Sequence, residues 1–301
     1  MTRSPADGMG LFDQFKTMLG GNRVDVRTRF EVLREAPAGT STMSKFYKAK
    51  DRETGRIVGL KILDPKKTAE FEARFKGLKK PTEGEILSQL KHPRIVEAIE
   101  YGTTVQGEQF LVMEFLEGQG LNYLVFGRNP LLEGRRLMVI RQAAEALQAV
   151  HDAGFIYRDV CPRNFMLDAS GTDLKLIDFG LAVPATPAFM QPGNRTGNPN
   201  YMAPELVKRR ATDQRIDVFA FGITAYEICT GQLPWERGAT GLVAMKHVEQ
   251  PPIEIERYRP QIDRRLAAAI TRCIQREPSD RFTAVKDFTK AIAAIESEDA
   301  P

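Results

Sequence analysis

An apolar run long enough to cross a bilayer is missing from this 301-residue chain. The longest nearly apolar stretch, Val218 to Thr230, is interrupted by Glu227 and falls short of the roughly 20 residues a spanning helix needs. No secretory signal pattern opens the chain. The expectation is therefore a soluble protein with no transmembrane segment, acting in the cytoplasm. Cysteine is scarce as well. Cys161, Cys229 and Cys273 are odd in number and form no CxxC pair, so neither a disulfide framework nor a zinc site is indicated. His92, His151 and His247 are too scattered to assemble a ligand set. A surplus of one charge is also lacking, since 43 basic and 39 acidic residues are interspersed along the chain. Such mixing is the pattern of a solvated surface and argues against a nucleic-acid partner.

What is present is an ordinary globular composition and length enough for two lobes with separate cores. Residues 1–29 read as an extension. Within it Leu11-Phe12-Asp13-Gln14-Phe15-Lys16-Thr17-Met18-Leu19 repeats its apolar residues at helical spacing, and Gly20-Gly21-Asn22 supplies a stop. This short amphipathic helix is expected to dock on its own domain, with a partner groove or a membrane surface as alternatives. Lys16 is its only cation, which weakens the membrane reading. From Phe30 to about Gln109 the chain reads as strands rich in Val, Ile and Phe, broken by a helical segment around Phe71 to Leu90. Glu53-Thr54-Gly55-Arg56 reads as a hairpin turn. After Gly118 helical patterns dominate, over Arg135 to Ala153, Asp213 to Thr230, Arg264 to Gln275 and Val285 to Glu296. A small β-rich lobe thus precedes a larger helical one. Pro184 to Pro199, rich in Pro, Gly, Asn and Thr, reads as a loop.

Two short motifs carry the chemistry. Tyr157-Arg158-Asp159-Val160-Cys161-Pro162-Arg163-Asn164 sets a carboxylate and an amide five positions apart in a loop that follows an amphipathic helix. Asp178-Phe179-Gly180 comes fourteen residues after Asn164, behind the strand-like Leu174-Lys175-Leu176-Ile177. At these residues the sequence resembles the eukaryotic-like (Hanks-type) protein kinase family, over roughly residues 30–295. The resemblance implies an α+β, two-lobed fold: a small antiparallel β-rich lobe with one main helix (about 30–112), a hinge (113–118), a mainly helical lobe (119–297) and a short tail (298–301). It also implies ATP and Mg²⁺ as cofactors, with Mn²⁺ as the alternative ion, and protein substrates as partners.

Carried over residue by residue, the resemblance makes Asp159 the catalytic aspartate and Asn164 and Asp178 the metal-binding pair, hard oxygen ligands of the kind Mg²⁺ takes. Lys61, in Val58-Gly59-Leu60-Lys61, matches the lysine that contacts the α- and β-phosphates. Its carboxylate partner is Glu83, ten residues before Pro93, with Glu85 as the fallback; Pro81 and Gly84 make a weak helix there. Met113 takes the gatekeeper position, and the backbone of Glu114 to Leu116 faces adenine. Gly39, Ser41, Ser44 and Phe46 in the phosphate-covering loop, together with Gly59 and Met166, complete the nucleotide-binding set. Glu205 in Ala203-Pro204-Glu205 matches the residue that pairs with Arg281, and Asp217 the buried anchor of the catalytic loop. That large-lobe pattern implies a polypeptide acceptor.

Three departures matter. Serines at 41 and 44 replace two loop glycines and lose their freedom at positive φ, which implies weaker ATP binding. Gly59 replaces the usual alanine against adenine. Cys161 stands where serine/threonine kinases usually carry lysine, Asn198 where they carry threonine, and Arg163 matches a placement seen in many tyrosine kinases, where it reaches the γ-phosphate. The residues around Pro162 and Gly197-x-Pro199-x-Tyr201 look serine/threonine-like, so serine or threonine is favoured; a tyrosine or dual-specificity enzyme and a non-catalytic binding module are the alternatives. Arg158 is expected to meet a phosphate at Thr186 or Thr196.

Overall fold

The computed structural model describes residues 23–36, 43–75, 77–192, 196–238 and 241–299. The helix expected over Leu11 to Leu19, and Gly39 and Ser41, lie outside them. The described chain divides into two compact units, residues 23–71 with 98–115, and residues 72–97 with 116–299.

The first unit is a five-stranded antiparallel sheet entered through a single helical turn, α1 (Val26–Arg29), whose N-terminus is capped by the Asp25 carboxylate. Strands β1 (Phe30–Glu35), β2 (Ser44–Asp51), β3 (Ile57–Leu63), β4 (Ala98–Thr103) and β5 (Gln109–Glu114) lie in the order β1-β2-β3-β5-β4. Between β3 and β4 the helix α2 (Pro65–Glu72) leaves the sheet. Strand β3, Ile-Val-Gly-Leu-Lys-Ile-Leu, is central and covered on both faces, which suits its nearly continuous apolar run. Val26, Phe30, Ala49, Val58, Leu60, Phe110 and Val112 form the hydrophobic cluster on one face, with Tyr47 and Ile62 packed against it. The β2–β3 turn falls where expected. Gly55 takes φ of 73°, and the Asp51 carboxylate accepts from the Glu53 N–H and the Thr54 hydroxyl. Arg29 binds Asp51 and Glu100, at 3.2 and 2.8 Å, and so ties the turn to β4.

In the second unit the expected helix around Phe71 to Leu90 is broken. Only α3 (Glu83–Leu87) forms after α2, because Gly77 takes φ of 74° and Pro81 has no N–H to donate. Helix α3 begins at a capping box: Thr82 Oγ1 accepts from the Glu85 N–H, and Glu85 accepts from the Thr82 N–H at 2.7 Å. The remaining helices are α4 (Leu121–Phe126), α5 (Arg136–Asp152), α6 (Pro204–Val207), α7 (Arg215–Thr230), α8 (Gly241–Glu249), α9 (Arg264–Cys273) and α10 (Val285–Ala291). Helix α7 is buried almost all round, as its mostly apolar sequence requires of a core helix. At Gly222 it lies so close to α9 that an added Cβ would stand 2.5 Å from the Cys273 Cβ. Short strands β6 (Gly118–Gly120), β8 (Phe165–Asp168) and β9 (Leu174–Leu176) form a three-stranded sheet, and β7 (Phe155–Ile156) pairs with β10 (Val183–Pro184). No described helix is long and apolar enough to cross a membrane.

Candidate active site

The loop between β7 and β8 is held from below by one carboxylate. Asp217, near the start of α7 and 1% exposed, accepts the Tyr157 N–H at 2.7 Å, the Arg158 N–H at 2.8 Å and, at 2.9 Å, a bond with His151 Nε2 at the end of α5. Main-chain donors thus fix the loop, and Arg158 is bent into φ of 70°. Burial lowers the Arg158 pKa to about 10, with the Asp217 charge acting against that fall. Asp217→Ala orphans two buried N–H groups and a ring nitrogen. The expected loss is about 3 kcal/mol of unfolding free energy, read from urea melts. A loss under about 1 kcal/mol would show that the loop holds itself.

Above this anchor sits Asp159, 8% exposed. Its Oδ2 accepts from Arg163 at 2.8 Å and from the Asn164 amide at 2.8 Å, and its main-chain carbonyl accepts the same amide at 2.7 Å. Its Oδ1 is buried and has no hydrogen-bond partner among the described residues. Burial pushes the carboxyl above the usual carboxylate range, against the pull of the Arg163 guanidinium and the Asn164 amide. Arg163, half-exposed, therefore lies on Asp159 itself, one helical turn away in sequence.

Asn164 reaches Asp178 through the backbone, since the Ile177 N–H donates to the Asn164 carbonyl at 2.8 Å. Asp178 takes φ of 64°, a left-handed conformation that an aspartate adopts more readily than most residues. Its Oδ1 accepts the Gly180 N–H at 3.2 Å. Between them Phe179 is fully buried, edge-on to Tyr157 at 5.2 Å, and donates its N–H to Glu83 Oε1 at 3.0 Å. Glu83 is buried, whereas Glu85 is engaged in the capping box. The second unit thus brings together Glu83, Asp159, Arg163, Asn164 and Asp178. Leu116 and Met166 belong to this unit too, both half-buried, with Met166 in β8 opposite Gly120.

Lys61, Gly59, Ser44, Phe46, Met113 and Glu114 belong to the first unit. Lys61 is 7% exposed and stands opposite Phe46 in β2 and Leu111 in β5. Gly59 stands opposite Met113, and Glu114 ends β5.

The donor chemistry fits a small hard cation. With both amide hydrogens of Asn164 on Asp159, its carbonyl oxygen is the end left to ligate, and Asp178 adds a carboxylate. Two oxygen donors leave places for phosphate and water, as Mg²⁺ requires.

Elsewhere in the second unit, Thr196 is buried and accepts from Arg74 at 3.4 Å, while Thr186 is exposed. Burial pushes all three thiols up, Cys161 and Cys273 furthest and Cys229 to about 12. His151 is the supporting residue that sequence reasoning passed over. Its signal was its place at the end of the helix that precedes the loop.

The protein kinase domain family matches residues 33–291. Serine/threonine-protein kinase pkn3 of Myxococcus xanthus is 30% identical over 282 residues, 88% of this chain and 50% of its own length. Serine/threonine-protein kinase pkn2 of the same organism is 32% identical over 290 residues, 93% of this chain and 34% of its own. Serine/threonine-protein kinase PrkC of Bacillus subtilis is 28% identical over 274 residues, 90% and 41%. The chain thus spans half or less of the length of these relatives.

Proposed function

Because the chain belongs to the protein kinase domain family, we propose that it transfers the γ-phosphoryl group of ATP to serine and threonine hydroxyls of protein substrates. The observation that carries this reading is the divided role of the Asp159 carboxylate. Oδ2 is engaged by Arg163 and Asn164, whereas Oδ1 has no partner among the described residues.

An acceptor hydroxyl donates its hydrogen bond to Oδ1. As its oxygen bonds to the γ-phosphorus, the bond from that phosphorus to the β–γ bridging oxygen breaks, ADP leaves, and the hydroxyl proton passes to Asp159. Lys61 holds the α- and β-phosphates. The main chain at Glu114 to Leu116 takes the adenine, with Met113 and Met166 beside it. Asn164 and Asp178 hold the divalent cation, Mg²⁺ by ligand chemistry, with Mn²⁺ meeting the same donors. When bound, that cation supplies positive charge against the phosphate oxygens.

The relatives' names favour serine and threonine over tyrosine. Arg163, paired with Asp159, serves in this reading to orient the carboxylate. Catalysis takes place in the cytoplasm, where ATP is supplied, and phosphate added at Thr186 or Thr196 orders the loop that carries them.

The test is transfer from γ-labelled ATP with Mg²⁺ to a mixture of acceptor peptides, followed by phosphoamino-acid analysis. Phosphoserine and phosphothreonine are expected. Predominant phosphotyrosine sinks the acceptor assignment, and ATP binding without transfer would turn the chain into a binding module.

A further inference from the structure

The sheet of the first unit carries a groove of about 960 Å³ on the face turned away from Lys61. Tyr47 in β2, Leu60 and Ile62 in β3, Val26 in α1, Val32 in β1 and Pro65 at the start of α2 line it. An antiparallel sheet with one face in water normally shows polar side chains there. This face shows apolar ones. Tyr47 and Ile62 pack against the hydrophobic cluster yet are only partly buried, and Val32, opposite Ala49 of that cluster, is 52% exposed. The four-residue turn α1 is too short to cover them.

The chain itself leads to this groove. Val24 donates its N–H to the Thr103 carbonyl at 3.1 Å and accepts from the Val105 N–H at 3.0 Å, which pins it to the turn between β4 and β5. The same turn supplies Glu108 to the lining, and Val26 follows two residues later. Residues 1–22 therefore join the described chain at the groove. Among them Leu11, Phe15, Met18 and Leu19 recur at i, i+4, i+7 and i+8, one apolar stripe on a helix about 14 Å long. From Leu19 to Arg23, through Gly20, Gly21 and Asn22, the chain can span at most about 14 Å. A connection so short holds the stripe beside the groove at an effective concentration in the millimolar range. That favours the chain's own segment over a second copy. Lys16 is the segment's only cation, which disfavours an anionic lipid surface.

We propose that Leu11 to Leu19 docks in this groove as a helix, seating Leu11, Phe15, Met18 and Leu19 against Val32, Tyr47 and Ile62. Apolar surface on both partners leaves water, and that drives the contact. Leu60 and Ile62 flank Lys61 in β3, so the helix backs the strand that carries this lysine. The inference stands apart from the reaction assigned to the second unit.

The experiment places the photoreactive residue p-benzoylphenylalanine at position 15 of the full chain and maps the crosslinks by mass spectrometry after irradiation. They are expected within one chain, on the peptides that carry Val32, Tyr47 or Ile62. Val32→Asp sets a charge on the groove's exposed rim and should cut that yield about fivefold or more. Melting supplies a second readout. Phe15→Asp should lower the melting temperature by about 3 °C or more, whereas Thr17→Ala, on the opposite side of the helix, should change neither readout. Phe15→Asp combined with Val32→Asp should cost clearly less than the two shifts added, because either change alone already undocks the helix.

Crosslinks between two chains at the same peptides would give the groove to a second copy and overturn docking within the chain. Crosslinks that miss these peptides, or a Phe15→Asp melting temperature equal to that of wild type, overturn the groove assignment. A chain that pellets with phosphatidylglycerol vesicles and gives no groove crosslink overturns it in favour of a lipid surface. None of these measurements reads phosphoryl transfer, so this inference and the kinase reading fail separately.

Discussion

Replacing Asp159 by asparagine is expected to lower phosphoryl transfer about a thousandfold, with nucleotide affinity nearly unchanged. The direction follows from how the carboxylate is held. Two donors, the Arg163 guanidinium and the Asn164 amide, converge on Oδ2 at 2.8 Å each. An asparagine introduced at 159 meets those donors with its carbonyl oxygen, the only acceptor it has. Its NH₂ group is then forced to the place of Oδ1, where it donates a hydrogen and cannot receive one. Geometry and packing survive, and the acceptor for the hydroxyl proton is lost. Loss of a positioned general base accounts for a factor of about 10²–10⁴. Steady-state assays with labelled ATP read the rate, and titration with a non-hydrolysable ATP analogue reads the affinity. A transfer rate within about tenfold of wild type would refute the assignment of Asp159.

Arg281→Met is expected to cost about 4 kcal/mol of stability. Arg281 is 2% exposed, and its guanidinium uses all five of its N–H donors. Two go to Glu205 at 2.7 and 2.8 Å, one to the Gln275 carbonyl at 2.8 Å, and one each to the Arg215 and Arg276 carbonyls at 3.0 Å. The group also lies over the Phe219 ring, 4.8 Å from its centroid. Methionine fills similar volume and satisfies none of these acceptors. A buried carboxylate is left without its counter-charge, and three carbonyls lose a donor. This sets the site apart from a simple buried ion pair, which apolar residues can replace at little cost. Here the double change Glu205→Leu with Arg281→Met removes the carboxylate problem but leaves the three carbonyls unserved. Only part of the stability should return. Urea melts of both variants measure it, and an Arg281→Met loss below about 1.5 kcal/mol would contradict the network's role.

The sequence made some of this architecture plain and hid other parts, for identifiable reasons. Asp159, Asn164 and Asp178 could be read because the separations along the chain are short and a loop and one strand fix them. Asp217 could be read only through the family resemblance, which matches it to the buried anchor of the loop that carries Asp159. The interruption between Glu72 and Glu83 was signalled by Gly77 and Pro81, but the apolar spacing around them suggested one continuous helix. His151 was hidden because its partner lies 66 residues away, a distance that periodicity does not register. Gly39, Ser41 and the Leu11 to Leu19 helix lie outside the described residues and stand as expectations.

The tight seam between Gly222 and Cys273 has a consequence for how the molecule can be watched. Cys273 is closed off beneath α7, Cys161 lies within the loop between β7 and β8, and Cys229 is near the end of α7; all three are buried and belong to the second unit. The first unit contains no cysteine among its residues. A thiol reagent added to the native chain is therefore a clock for one unit alone, its uptake paced by how often that core opens. The sheet that carries Lys61 stays silent in the same experiment, and a single cysteine placed on its exposed edge gives it an independent readout.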